Sequence, residues 1–388
     1  MALKDDNLLR LLLAYSASHR ARLIKYPEPG TRISHYVEGM FQTLSEALHN
    51  PHTQISNSTF ATSLILASLE IISPNAFSAM NPIPWDMHLN MAGEIIKQRG
   101  IHAQTVDRGD DESYFLTRWY AYLDVMGSLS GGRTNLPLFG GDFWALDPEN
   151  PDQRHRIDCF FGFTDRCVCI LASIAALTKE ADEERKTHRL KSKFNKPFKP
   201  STNIETKAAE IQKDLMQSMQ QPYQGCNHTR RRASSPGPPD DYTPPRNENA
   251  NTANTNATST THALELTTTN ESYHWAGMIY LTRRVLGRSP SDPQLQTYVH
   301  IIVAGLGKIQ PAGTAEACML FPMFVAGCEA LPGHNREKLK ERLKSVEETG
   351  LTQAQKAREV MERVWKARDE GIEDVGWEGL VGEDFIVC

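Results

Sequence analysis

The stretch Asn7–Leu23, NLLRLLLAYSASHRARL, reads in two ways, and the choice between them decides the fold. Its leucine-rich start has the look of a signal-peptide core. Asp5 and Asp6, however, stand where a positive segment belongs, and Arg10 interrupts the apolar run. Leu8, Leu12, Tyr15, His19 and Leu23 recur at three- and four-residue steps, the period of an amphipathic helix. The stretch is therefore read as a helix with one face against a core.

The same period continues downstream. Ile33, Val37, Phe41, Leu44 and Leu48 predict one helix, ended by Asn50-Pro51. Phe60, Leu64, Ala67 and Ile71 form the next stripe. Further helices are predicted from about Trp85 to Gln98, Tyr114 to Leu129 and Ile157 to Thr178, with a Gly- and Pro-rich loop over 133–154. Helices return at Tyr273. Ser291 with Gln294, and Thr352 with Gln355, have the spacing of capping boxes. Thr314–Ala330 is read as one helix, with Pro322 kinking it or sitting near its start. Arg336–Val346 is another, and Ala354, Ala357, Met361, Val364 and Trp365 mark the last. No stretch alternates with period two. The fold class is all-α, an irregular domain of roughly ten to twelve helices interrupted by a long disordered insert.

The insert is read from composition. Residues 185–199 hold seven Lys or Arg, and Gln220–Ala263 contains no Leu, Ile, Val, Met, Phe or Trp. Such a segment buries too little apolar surface to offset its ordering entropy. The expected organisation is a first helical half over 1–178, a basic and Asn/Thr/Pro-rich insert over 179–270 with a short helix near Ile204–Met216, and a second helical half over 271–388. The last twenty residues carry seven Asp or Glu and no Lys or Arg, interleaved with Trp377, Phe385, Ile386 and Val387. They are read as a tail packed on the body, with an acidic activation segment as the alternative.

The chain has 388 residues, 42 Lys or Arg against 47 Asp or Glu, and a net charge of −5. That balance excludes a nucleic-acid binder working by bulk positive charge. No apolar stretch is long enough to span a bilayer. Seven irregularly spaced cysteines fit reduced thiols better than a disulfide framework.

Catalytic signatures are missing. There is no phosphate loop, GxGxxG, GxSxG or HExxH. Cys167 and Cys169 lie two apart, a spacing that directs them to different sides of a helix and does not chelate. They are read as small core residues, and His19 and His88 as satisfied core histidines. Arg118, Trp119 and Asp124 lie among aromatics and are a candidate effector pocket, against the simpler reading of a helix with a partly buried ion pair. Ser234 follows Arg230, Arg231 and Arg232 and is a candidate phosphorylation site. The same arginines, with Lys191 and Lys193, are a candidate nuclear import signal.

Several segments together carry a resemblance. They are Asn7–Leu23, STFATSLILASLEIISP (Ser58–Pro74), PWDMHLNMAGEIIKQRG (Pro84–Gly100), YFLTRWYAYLDVMGSLSGG (Tyr114–Gly132), LFPMFVAGCEA (Leu320–Ala330) and AREVMERVW (Ala357–Trp365). The chain resembles the helical regulatory domain of fungal zinc-cluster transcription factors, the fungal-specific transcription factor domain. The resemblance implies a nuclear transcription regulator and not an enzyme. It implies protein partners, either the transcription machinery or a family relative in a homo- or heterodimer, and a small effector. In that family a six-cysteine cluster binds zinc and reads DNA. No such cluster occurs here. The expectation is that no cofactor binds this chain, that zinc and DNA contact belong to a missing N-terminal cluster, and that no membrane is involved. A headless protein that pairs with and inhibits a full-length relative is the alternative. A helical enzyme is a third reading, without a positioned acid, base or nucleophile behind it.

Overall fold

The computed structural model describes the chain apart from residues 51–52, 74–83, 101–110, 132–136, 139–156, 158–160, 192–197, 221–251, 373–374 and 383–384. At 111, 189–191 and 252–260 it describes the backbone alone. Among the described residues the architecture is helical, with no strand beyond a single bridge between Ile157 and Thr164.

The N-terminal half is built from α1 (Asp6–Leu23), α2 (Gly30–Val37), α3 (Met40–His49), α4 (Asn57–Ile72) and α5 (Trp85–Arg99). Asp5 caps α1, its carboxylate accepting from the amides of Asn7 and Leu8 at 2.9 and 3.1 Å. The buried face of α1 is Leu8, Leu11, Ala14, Ser18 and Ala21, whereas Leu12 and Leu23 are 40% and 50% exposed. This corrects the predicted stripe. Two sets of residues have helical spacing, and the one with smaller side chains faces inward, where it lets α1 approach α4 closely.

The single helix predicted over 33–48 is two. Gly39 breaks it with a φ of +78° between α2 and α3, a conformation that other residues adopt at a cost. In α4 burial runs right round the helix from Thr59 to Ile72, so this is the central element of the half, not a one-sided stripe. α5 ends at Gly100, also with a positive φ.

α6 (Asp111–Ser130) joins the halves. Its first turns place Leu116, Tyr120, Ala121 and Leu123 in the N-terminal core. Its last turns place Val125, Met126 and Leu129 in a second core. That second core holds α7 (Asp165–Lys191), α8 (Thr202–Met219), α9 (Thr252–Tyr280), α10 (Pro293–Leu306), α11 (Thr314–Cys318), α12 (Leu320–Glu329), α13 (His334–Glu347) and α14 (Thr352–Asp369). The two cores therefore meet within α6, not at residue 178. α7 belongs to the second, because its apolar run Cys167–Leu177 packs there.

The insert is narrower than 179–270. α7 continues to Lys191 with Ala181 fully buried, and α8 puts Ile204, Ala208 and Leu215 into the core. Charged residues lace α7 to α8: Lys207 with Glu180 at 2.6 Å and Arg166 with Asp214 at 2.8 Å. Ser201 caps α8 and also hydrogen-bonds Glu184. Polar composition here marks a laced pair of helices. At the far edge, Leu266, Thr268, Thr269 and Asn270 are buried in α9, ahead of the predicted return at Tyr273. Thr267, Thr269 and Ser272 donate their hydroxyls to the carbonyls of Ala263, Glu265 and Thr268. That back-bonding satisfies small polar groups inside a buried helix. Of the Asn/Thr tract at 247–262, residues 247–251 lie outside the described residues, with the rest of 221–251, and the backbone from Thr252 is already helical as the start of α9.

Gly277 marks where α7, α8 and α9 cross. A Cβ there would meet Ile174, Leu171 and Leu215 at 3.2–3.4 Å. α9 ends in a π-helical turn over Leu281–Val285. Two predicted caps are replaced. Asp292, not Ser291, caps α10 and is followed by Pro293. Thr352 turns its hydroxyl to the carbonyl of Ile72, so α14 has no side-chain cap and is tied to α4 instead. The helix predicted over 314–330 is α11 and α12, with Pro322 in the first turn of α12, where a missing N–H costs little.

The tail packs between the halves. Ile386 joins the N-terminal core, Phe385 and Val387 join the second, and Cys388 lies against both. The Val387 amide donates to the Ser130 hydroxyl at 2.9 Å.

Candidate functional site

The candidate effector-pocket residues Arg118, Trp119 and Asp124 lie along the aromatic part of α6. Arg118 is buried and pairs with Asp165 at the start of α7, one N–H donating to Oδ2 at 3.1 Å. Its guanidinium lies 4.9 Å from the Tyr114 ring centre and 5.3 Å from that of Phe161, within the range of cation–π attraction. Asp124 is fully buried and accepts from the Leu138 amide. Trp119 packs against the N-terminal core, 6.0 Å from Phe115. The three residues therefore face different neighbours. Six positions along a helix is not a return to the same side, so Arg118 and Asp124 serve separate contacts. The ion pair is present, with Asp165 as the partner.

Ser234, Arg230, Arg231, Arg232 and Lys193 lie outside the described residues. Lys191 closes α7, with only its backbone described.

Cys167 and Cys169 are both buried in α7. Burial pushes the Cys167 thiol well above the usual range, which disfavours the thiolate needed by a nucleophile or metal ligand. Among the described residues no group of three or more His, Cys, Asp or Glu could hold a metal ion, and no helix is long and apolar enough to cross a membrane.

His19 and His88 divide. His19 is half-buried and its Nε2 bonds the Thr349 carbonyl at 2.9 Å. His88 is 1% exposed and stacks on Phe41, yet neither ring nitrogen has a partner. This corrects the expectation of a satisfied histidine. Burial lowers its pKa to about 4. His274, missed by the sequence reading, is the satisfied one. Its Nδ1 bonds the Asn270 carbonyl at 2.8 Å and its Nε2 the Ser218 hydroxyl at 2.9 Å. Desolvation lowers its pKa to about 4, against the opposing effect of the Asn270 carbonyl.

Glu70 in α4 was also missed, because it looks like any helix-surface acid in sequence. It is buried, one carboxyl oxygen lacks a partner, and desolvation raises its pKa to about 8. The group is thus protonated in the folded chain at pH 7 and ionised in the unfolded one. Its effect is to remove stability as pH rises from about 4.5 to about 8, at roughly 1.4 kcal/mol per pH unit. His88 and His274 act in the other window, removing stability as pH falls from 6.5 towards 4. Glu70→Gln is expected to match the parent near pH 5 and to exceed it by about 1–3 kcal/mol at pH 7.5. Urea denaturation at both pH values checks this; a variant no more stable at pH 7.5 would mean that Glu70 is ionised in the fold.

The remaining buried charges form ion-paired networks. Glu329, 1% exposed, accepts from Arg283 Nε at 2.8 Å and Arg368 Nη2 at 3.1 Å. Arg342 pairs with the fully buried Glu316, and its Nη2 also donates to the Ile309 carbonyl at 2.8 Å. These networks tie helix ends together; no acid, base and nucleophile converge in the described residues.

Comparison with known proteins gives one family. The profile of the fungal specific transcription factor domain matches residues 1–388. No curated protein and no solved structure matches the chain. An all-helical body together with a match along the whole length shows that the chain belongs to the fungal specific transcription factor domain family, whose members regulate transcription.

Proposed function

We propose that this chain is a regulatory module acting in the nucleus through protein contacts, responsive to a small effector and to phosphorylation of Ser234, and that it has no catalytic activity of its own. The family match over residues 1–388 carries this reading. The buried polar groups add support, because each large cluster is consumed in helix-to-helix pairing. Phosphorylation of Ser234 would add about two negative charges beside three arginines and bias the domain between two states of its protein-binding surface. Zinc and direct DNA reading belong, on this reading, to a cysteine cluster outside the present sequence.

The test is to fuse the full chain to an unrelated DNA-binding domain and measure a reporter placed behind that domain's site. A several-fold change in transcript, relative to the DNA-binding domain alone, is the expected result. An unchanged reporter, with the fusion present in nuclei at equal level, would overturn the proposal.

A further inference from the structure

The outer face of α1 presents an apolar stripe bounded by opposite charges. Leu12, Leu13 and Leu23 on α1 are 40–50% exposed; Ile24 and Tyr26, just past its end, are 57% and 71% exposed, and Leu3, in the turn before the helix, is 93% exposed. Two contacts border the stripe and hold it outward. Arg10 Nη2 donates to the His35 carbonyl of α2 at 3.1 Å. His19 bonds the Thr349 carbonyl beyond α13 at 2.9 Å. Beneath it, Leu8, Leu11, Ala14, Ser18 and Ala21 occupy the core side. Soluble proteins seldom leave such a patch uncovered without a partner.

The spacing along the stripe says what the partner is. Asp6, Leu13 and Arg20 are seven residues apart, and Leu9, Ser16 and Leu23 fall between them at the same interval. A seven-residue step is two helical turns, the repeat with which one helix seats against another. Leu13 lies midway, so a two-fold axis through it brings Asp6 of each copy opposite Arg20 of the other. A parallel pairing would set Asp6 against Asp6 and Arg20 against Arg20. Asp6 and Arg20 are both exposed, and neither takes part in an ion pair among the described residues. Antiparallel packing also opposes the two helix dipoles favourably.

We infer that α1 is a self-association surface, and that two copies of this chain pair α1 antiparallel about an axis at Leu13, with Asp6 and Arg20 forming reciprocal ion pairs. The contact is isologous, as closed dimers require. One helix face is smaller than the ~800 Å² per partner of a standard interface, so association in the micromolar range is expected. The inference does not depend on the regulatory reading above, which is tested on a different readout.

Sedimentation velocity on the full chain from about 1 to 200 µM tests it. The parent is expected to pass from monomer to dimer across that range. Leu13→Glu changes an exposed side chain, places two carboxylates at the axis and should raise the midpoint at least tenfold with circular dichroism unchanged. Asp6→Arg should weaken the dimer, and the double variant Asp6→Arg with Arg20→Asp should restore it, which a folding defect would not do. A parent that stays monomeric throughout, or a dimer indifferent to Leu13→Glu, overturns the proposal.

Discussion

Glu329→Ala is expected to destabilise the fold by about 3–5 kcal/mol. Glu329 closes α12 and sits between two arginines from other elements, Arg283 in the π-helical turn and Arg368 in α14. All three side chains are 8% exposed or less. Removing the carboxylate leaves two guanidinium groups buried next to each other. Arg283 also donates to the Arg288 carbonyl, and Arg368 to the carbonyls of Cys328 and Val375. These orient the arginines and do not neutralise them. The penalty is therefore set by losing the buried carboxylate that both guanidinium groups share, more than by the lost hydrogen bonds themselves. Glu329→Gln keeps the shape and part of the hydrogen bonding but not the charge, and should fall between the parent and the alanine variant. Urea denaturation at neutral pH measures both. A loss below about 1 kcal/mol for the alanine variant would mean that water reaches the arginines.

Trp377→Ala is expected to cost a similar amount, about 3–5 kcal/mol, through a different cause. Trp377 is 1% exposed and meets Tyr280 and Phe324 edge-on, with ring centres 5.6 and 5.5 Å away. Its loss opens a cavity beneath the tail and removes the anchor of the segment that reaches Ser130 through Val387. The indole N–H has no partner, so Trp377→Phe forfeits volume but no hydrogen bond. It should retain most of the stability, with a loss nearer 1 kcal/mol. The contrast between the two substitutions, read by urea denaturation, isolates packing from polarity. Equal losses would point to the indole nitrogen instead.

Both residues illustrate where the sequence stopped being legible. Trp377 stood out as an apolar residue in an acidic tail, and its burial followed from that pattern. Glu329 carried no local sign, because its partners are 46 and 39 positions away in sequence. Arg118 is read from the sequence as a candidate effector-pocket residue or as half of a partly buried ion pair, and the sequence does not name its partner Asp165, 47 positions downstream. His88 and Glu70 were invisible as perturbed groups for the same reason. Burial of a titratable side chain is set by what covers it.

The sequence by itself determined that this protein is helical, where most of its helices lie, and that Pro322 kinks one of them or sits near its start, whereas the break at Gly39 came from the structure. It also determined the family, through segments spread from Asn7 to Trp365. These are local properties: a 3.6-residue period and the backbone limits of glycine and proline act within a few residues. Only the tertiary structure decided which of two equally spaced stripes of α1 turns inward. It alone kept the polar helices at 179–191 and 202–219 packed and made a Thr-rich segment part of a buried helix. It alone chose Asp165 for Arg118. Each of those outcomes depends on the surface another helix presents, and helix propensity is too weak a preference to resist it.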